Sequence, residues 1–465
     1  MKNLISLLIL PLFAFSAIAQ EPVDSTKPQE LNEVVVEAQR QRIEANVSTY
    51  IPASNQKNAA QNAVSLLAHM AIPQIEVDPV NFAVKNAQGQ EVSLFIDYLP
   101  ATKDDLQGMR TQDIRRVEYY LHPVDARFQG AKYAINFVMH KYEWGGYTKI
   151  NADKWFGVNR TEGSVYSKIA YKRMTFDLFA DEIYLTNRHC GQKSVETFNF
   201  TDLYGNGPQN IVRNSDTNSS LYRNNSNDVS FRALYDTDKI QISNRIGWSL
   251  TNVPHNDIGN SLAYTPDIIS TTNSSTLTSQ RNWSLSYSGL YYFTLSEYAA
   301  INTRLGYLYG HNTSNSLYTI PNSLSIANDA TENAHRVEIY PRLNWNPNNT
   351  NQFMFSAGAV HNRNIINYVG NSPSKQTYDL GAYYVGAEYY HIFNKWEVGG
   401  ELAWIWETNR ISGHKMNNNF PQVNVNVTWS PNDMHQVFLF GNYGQDMPDA
   451  VSYTHLRAHE TRHDL

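Results

Sequence analysis

Residues 91–140 read EVSLFIDYLPATKDDLQGMRTQDIRRVEYYLHPVDARFQGAKYAINFVMH, and the fold turns on how this stretch is read. Val92, Leu94 and Ile96 alternate with Ser93, Phe95 and Asp97, the period of a strand, and Pro100 stops it. Asp104 to Met109 predicts a short helix ending near Gly108. A second strand, Val117 to Leu121, follows the polar turn at Thr111 to Asp113, and a third, Ala134 to Met139, follows Gly130. These elements make a small mixed unit of strands and one helix, placed directly before a long run of alternating strands.

Upstream, Ala63, Leu66, Leu67 and Met70 fall at helical spacing and predict a one-faced helix, closed by Pro73 and followed by a short strand from Gln74 to Val77. Residues 1–19 carry a charged start at Lys2, an apolar run from Leu4 to Phe15 and Ala17-Ile18-Ala19 before Gln20, the layout of a secretory signal peptide. The apolar run is shorter than the roughly 20 residues that a spanning helix needs. No Cys follows the cleavage site, which speaks against a lipid anchor. Residues 20–62 form a polar tether, interrupted by Leu31-Asn32-Glu33-Val34-Val35-Val36-Glu37-Ala38. A triple valine in such a tether suits strand addition to the exposed sheet edge of a partner.

From Trp144 onward the period is two. Trp396, Val398, Gly400, Leu402, Trp404 and Trp406 share one face, and Glu397, Glu401 and Glu407 the other. The split recurs at Ile240, Ile242, Ile246, Trp248 and Leu250 against Gln241, Ser243, Arg245 and Ser249. Trp283, Leu285, Tyr287 and Tyr291 oppose Ser284, Ser286 and Ser288, and Val423, Val425, Val427 and Trp429 oppose Asn424, Asn426 and Thr428. A soluble sandwich also alternates. The aromatic residues gathered on the apolar faces favour a membrane barrel, whose charged faces turn to a wet lumen.

The connections point the same way. Short turns at Lys172-Arg173, Thr237-Asp238, Ser296-Glu297, Asn346 to Asn349, Asn394-Lys395 and Ser430 to Asp433 separate longer Asn/Ser/Thr-rich stretches at 188–225, 252–281, 311–332, 363–375 and 410–418. Short and long connections alternate when every second one lies on the periplasmic side of a barrel. This scheme gives about thirteen strands before residue 446, each near the roughly 9 to 11 residues that cross a membrane. Single-chain bacterial barrels have even strand counts, and plugged ones reach about 22, so a closed barrel would need more strands than this.

Composition agrees. The chain has 30 Tyr and 9 Trp, and barrels place such residues in interfacial girdles. The net charge of −6, with no basic stripe, speaks against nucleic acid as a partner. The single Cys190 can make no internal disulfide and reads as a loop residue.

The unit at 91–140 resembles the plug domain of TonB-dependent outer-membrane receptors. The residues carrying the resemblance are Leu94, Phe95, Ile96 and Asp97, then Ile114, Val117, Glu118, Tyr119 and Pro123, then Phe128, Gly130, Ala134, Ile135, Asn136 and Phe137. Tyr98 stands where the family has Gly, and Gln129 separates Phe128 from Gly130. The resemblance implies an α+β plug domain over 63–143 followed by an antiparallel transmembrane β-barrel over 144–450, incomplete at about thirteen strands of about 22. It further implies a receptor in the outer membrane of a Gram-negative bacterium, importing a scarce solute such as a siderophore or glycan. Energy would come from TonB with ExbB and ExbD in the inner membrane, with no cofactor and no catalytic or metal-binding residues. Its implied partners are TonB, the extracellular solute, and outer-membrane lipid and lipopolysaccharide. Val34, Val35 and Val36 would be either the TonB-interaction segment or the plug's own first strand. Tyr98, Leu99, Pro100, Ala101 and Thr102 would form the ligand-binding plug apex, and Arg115, Arg116 and Glu118 would either pair with lumen charges such as Glu397 and Glu401 or lie on a solvated surface. The rival from another class is a passive or structural barrel for adhesion or assembly, without TonB coupling.

Residues 451–465, VSYTHLRAHETRHDL, leave the strand pattern and resemble a translated sequencing-adapter tail, foreign to the natural frame. They contain His459-Glu460-Thr461-Arg462-His463, a formal H-E-x-x-H zinc pattern. With no third ligand and no domain after it, the pattern does not predict a metalloprotease. The expectation is a protein that is not an enzyme.

Overall fold

The computed structural model describes residues 41–444, apart from 44–46, 80–81, 88, 122, 124, 129–130, 189, 202–206, 208, 268–269, 349, 372 and 433–434. The signal-peptide segment, Val34 to Val36, the Gln129-Gly130 pair and the His-rich tail lie outside the described residues.

The N-terminal part is an α+β module. In chain order it has β1 (Gln41–Ile43), β2 (Val47–Tyr50), α1 (Ser54–Ala59), α2 (Ala63–Met70), β3 (Ile75–Asp78), β4 (Ala83–Asn86), β5 (Ser93–Ile96), β6 (Leu99–Pro100), α3 (Lys103–Gly108), β7 (Ile114–Leu121) and β8 (Tyr133–Met139). Its sheet runs β1-β2-β7-β8-β5-β6, with β5 parallel to β8 and the other pairs antiparallel. β3 and β4 form a separate hairpin. The helix read from Ala63, Leu66, Leu67 and Met70 spans those residues, because the Asn62 side chain accepts a hydrogen bond from the Ser65 N–H at 2.9 Å and caps it. Its apolar face packs Val64, Leu66 and Leu67 against Ile114, Val117, Ile135 and Phe137 of the sheet. The module's sheet begins upstream of residue 63. β2 pairs with β7 through Tyr50 opposite Val117, and the buried Tyr50 hydroxyl donates to Gln74 Oε1 at 2.6 Å. Four mixed residues show no period of their own, so only this pairing reveals the strand.

The rest is one antiparallel meander. It comprises β9 (Trp144–Trp155), β10 (Arg160–Tyr171), β11 (Met174–Arg188), β12 (Lys193–Phe200), β13 (Gln209–Asp236), β14 (Ile240–Thr265), β15 (Thr272–Ser296), β16 (Ala299–Ile320), β17 (Leu324–Trp345), β18 (Asn351–Gly370), β19 (Ser374–Phe393), β20 (Trp396–Ile411), β21 (His414–Asn432) and β22 (His435–Tyr443). Among the described residues these make a 14-stranded sheet in which neighbours in sequence pair, except that β12 pairs only with β13 and β11 pairs directly with β13. β9 and β22 are its two edges.

The short turns near Lys172-Arg173, Thr237-Asp238, Ser296-Glu297 and Asn394-Lys395 and after Trp345 fall where the sequence places them, whereas β21 runs on through Ser430 to Asn432, and most of the long stretches between are not loops. β13 runs for 28 residues and β14 for 26, through most of 209–225 and 252–265. β16 and β17 meet across 321–323, and β20 and β21 across Ser412 and Gly413. These extensions carry polar residues on both faces, so no alternation marks them. Ladder hydrogen bonds and cross-strand polar pairs hold them, such as Ser226 with Thr251 at 3.3 Å and Thr217 with Asn260 at 2.9 Å.

Nearer the short turns the two faces separate by parity. On one face Leu178, Phe231, Ile246, Tyr287, Tyr307 and Val337 are successive cross-strand partners, and five of the six are exposed large apolar residues, Tyr287 being half-buried. On the opposite face Asp177, Arg232, Gln241, Ser243, Asn302 and Asn344 are buried. The α+β module packs on that polar face, so the buried polar residues of the wall face protein and the apolar ones face outward.

Candidate functional site

Helix α3 is the point at which the module meets the wall. Thr102 caps it: Asp105 Oδ2 accepts from the Thr102 N–H at 3.0 Å and from its hydroxyl at 2.8 Å. That geometry aims the Asp105 carboxylate at the sheet. Arg245 Nη2 donates to both carboxylate oxygens at 2.6 Å, while its Nη1 donates to Thr102 Oγ1 at 2.8 Å. Arg232 Nη1 lies 3.3 Å from Asp105 Oδ1, and its Nη2 lies 2.6 Å from Asp177 Oδ2. Asp177 also accepts from the Tyr166 hydroxyl at 2.7 Å. Burial pushes the Asp105 carboxyl up, but the two guanidiniums outweigh it and hold the group at about 2. The remaining charge of Arg232 is met by Asp177, so every ion in this buried cluster is paired.

The same helix end fits the wall sterically. A Cβ on Gly108 would sit 2.3 Å from two carbons of the Tyr166 ring, so only glycine lets α3 approach β10 this closely. Lys149 Nζ, on β9, donates to the carbonyls of Gln107 and Gln61 at 2.8 Å each. Further along, Lys141 pairs with Asp236 at 2.8 Å, and Gln241 Nε2 donates to the Asp97 carbonyl at 2.9 Å. The module is thus tied to β9, β13 and β14 by directed polar contacts.

The segment Tyr98 to Thr102 lies within this contact. Asp97 and Tyr98, at φ 47° and 67°, make the two-residue turn between β5 and β6. A tyrosine at positive φ is strained, and three contacts hold it. Its N–H donates to Asn136 Oδ1 at 2.9 Å, its ring packs on Phe128 at 5.5 Å, and the Arg127 guanidinium sits 3.6 Å above that ring. Asp97 Oδ1 accepts from the Met139 N–H at 2.9 Å, and burial pushes its carboxyl above the usual range. Leu99 is 5% exposed, and Tyr98, Leu99 and Pro100 line a crevice of about 10 Å³ against Gln241 and Tyr292, room for about one water. Ala101 packs beneath the module core and Thr102 caps α3. The five residues expected at the apex therefore form a hairpin turn and helix cap seated on β14 and β15.

Opposite this contact the module and the wall stand apart. A cavity of about 770 Å³ separates module residues including Asp125, Lys132 and Tyr133 from the polar face of β16 to β22. Its wall side is mixed in charge and rich in phenols. Arg342 pairs with Glu388, Asn424 Nδ2 donates to Glu401 Oε2 at 2.6 Å, and Arg304 lies 4.4 Å from the Tyr340 ring centroid. Glu397, Tyr384 and Tyr390 complete it. Such a chamber offers a polar solute hydrogen bonds of both senses and flat rings for stacking.

One expected pairing is redirected. Glu118 is buried inside the module, where it accepts from Arg116 Nε at 2.7 Å, Tyr120 at 2.9 Å and Asn136 Nδ2 at 3.0 Å, so it does not reach Glu397 or Glu401 or draw Arg116 towards them. The buried charges that do bridge module and wall are Asp105, Arg232 and Arg245, with Lys141 and Asp236 pairing nearer the surface. Arg245 is visible in the sequence as a charge on a polar strand face; its partner, 140 residues away, is not. Among the described residues no group of three or more His, Cys, Asp and Glu side chains could hold a metal ion. No described helix is long and apolar enough to cross a membrane, which says nothing of strands.

Neither a protein-family model nor a curated protein matches the sequence. Among solved structures the chain is similar to the ferric yersiniabactin uptake receptor FyuA from Yersinia pestis, at 10% identity over 86% of this chain and 79% of that one, with a TM-score of 0.30. It is also similar to the ferric-catecholate import receptor Fiu from E. coli K12, at 10% identity over 86% and 79%, with a TM-score of 0.32. The pyoverdine outer membrane receptor FpvA from Pseudomonas aeruginosa PAO1 gives 10% identity over 85% and 77%, with a TM-score of 0.29. Overlap this loose carries no residue role and no ligand across.

Proposed function

We propose that this chain is an outer-membrane receptor that captures a scarce polar solute and imports it by TonB-coupled transport past a plug. The observation that carries the reading is the two-sidedness of the large sheet. Its outward face is bounded by two aromatic rows. One, near the short turns, holds Trp345 on Phe353 at 5.0 Å, Phe353 on Tyr389 at 4.8 Å and Trp396 on Trp429 at 5.7 Å. The other holds Trp283 on Tyr309 at 5.2 Å and Tyr309 on His335 at 4.9 Å. His335 and Trp345 are about ten residues apart on β17, roughly 33 Å along the strand and about 24 Å across a membrane at a tilt near 45°. An outer-membrane barrel presents an apolar band of about 25 Å between such girdles. A folded module ion-paired to the inner face would be idle in a sandwich core and is apt in a gated pore.

In this reading the solute enters the chamber beside the module and meets the phenols and charges of β16 to β20. Asp125, on the chamber, chelates Arg127 through Nε at 3.0 Å and Nη2 at 2.5 Å, and Arg127 covers Tyr98. Occupancy would therefore be sensed through Tyr98 to Thr102 and passed to the α3 contact. TonB would pair with Val34 to Val36 as an added strand and pull the module from the wall. Deleting residues 31–38 should abolish energy-dependent uptake in cells while leaving solute binding to the purified protein unchanged. Uptake that survives the deletion sinks the TonB coupling and favours a passive barrel.

A further inference from the structure

On β20 Glu397, Gly399 and Glu401 share the face turned to the chamber, while Trp396, Val398 and Leu402 are exposed on the other. Gly399 is the cross-strand partner of Tyr390 on β19, and a Cβ there would come 2.2 Å from the ring carbon Cδ1 and 2.5 Å from Cε1. Glycine thus lets the Tyr390 ring rest on the wall between the two carboxylates, where it lines the chamber. Glu388, opposite Glu401 in the ladder, accepts from the Tyr390 hydroxyl and pins the ring. The result is an aromatic surface with a carboxylate on either side of it along the strand.

The charges around this ring are unevenly matched. Three cations line the chamber: Arg342 pairs with Glu388, Arg304 has Glu338 at 3.6 Å, and Lys132 stands across the gap on the module. Among the described residues Glu397 and Glu401 make no ion pair, and Glu401 accepts from the neutral Asn424 amide at 2.6 Å. The two carboxylates are four residues apart, about 13 Å along the strand. That is too wide to close on one metal ion, and among the described residues no group of three or more His, Cys, Asp and Glu side chains could hold one. It suits two ammonium groups joined by methylenes, since each end meets a carboxylate and the chain crosses a ring that attracts cations.

We propose that the chamber binds a polyamine, laid along β20 with one ammonium at Glu397, another at Glu401 and the methylenes across Tyr390. The inference rests on the receptor reading given above and names the class of its solute. An anionic chelate would meet two unneutralised carboxylates here, and a neutral polyol would leave them without counter-charge.

The test is equilibrium dialysis of the purified full chain in neutral detergent against radiolabelled spermidine, with butylamine, butanediol and succinate as competitors. Spermidine should bind, and butylamine, with a single ammonium, should compete at least about tenfold less well, because one charge-assisted contact is lost. Butanediol and succinate should not compete. Glu397→Gln and Glu401→Gln should each weaken spermidine binding about tenfold. Both remove a charge that the folded chain leaves unpaired, so they should melt no lower than wild type, and lost binding is then not lost fold. Tyr390→Phe keeps the ring and should bind within about twofold of wild type, whereas Tyr390→Leu should lose about fivefold. The competition series on wild type holds whether or not a variant folds. Absence of spermidine binding, equal competition by butylamine or succinate, or wild-type binding by both glutamine variants overturns the site. Spermidine that binds as expected but is not accumulated by cells expressing the chain leaves the site standing and removes the import reading, so the two fail separately.

Discussion

The module touches its wall in two contrasting ways. Towards β9 to β14 it is held by directed charge and fit: Asp105 between two arginines, Lys149 on the carbonyls of Gln107 and Gln61, and Gly108 cut to the shape of Tyr166. Towards β16 to β21 it faces a chamber of about 770 Å³ whose polar groups pair mostly with one another. A plug fastened all round would need every contact broken before anything passed. Fastened on one side, it concentrates its attachment in a few ions and leaves the other side free for a solute.

That contrast can be broken on the fastened side first. Replacing Arg232 with Ala leaves both Asp105 and Asp177 short of a buried partner, so chemical denaturation should show a loss of about 3–5 kcal/mol, with earlier protease access to α3. An unchanged midpoint would mean that the cluster is not closed in solution. Gly108→Ala forces a carbon into the Tyr166 ring and should cost about 1–3 kcal/mol by the same measurement. Acid offers a subtler probe. Because Asp105 sits at about 2, below its ordinary 3.8, its contribution is present above that ordinary value and drains away as pH falls towards 2. Melting curves of wild type and Asp105→Asn should therefore differ at neutral pH and converge between about pH 4 and 2. On the chamber side the smallest effect on folding is expected. Arg304→Gln, whose nearest carboxylate is Glu338 at 3.6 Å, should move the midpoint by less than about 0.5 kcal/mol while changing solute affinity measurably. A large folding defect there would erase the difference between the two sides.

Much of the architecture was legible because it is periodic. The helix at Ala63–Met70, the strand at Ser93–Ile96 and the two faces of β14, β15, β20 and β21 each repeat an apolar residue at a fixed interval, whereas β7 and β8, read as Val117 to Leu121 and Ala134 to Met139, show as short apolar runs between turn residues. The upper halves of β13 to β17 were not legible, since Asn, Ser and Thr on both faces erase the period and look like loop. The sites divide the same way. Arg245 shows as a charge on a strand face, but Asp105 shows only as one residue of the short helix after Pro100, with nothing to mark its partner.

What the sequence by itself determined is therefore the order of parts: a mixed α+β module, then a meander with one apolar and one polar face. Local periodicity, turn residues and caps are written within a few residues of where they act. What only the tertiary structure decided is which charges meet, that Tyr98 to Thr102 seat on β14 and β15, and that the open space lies on the opposite side. Those facts depend on pairing across more than a hundred residues, as between Asp105 and Arg245, and on the sheet's curvature around the module, and neither leaves a mark on its neighbours in sequence.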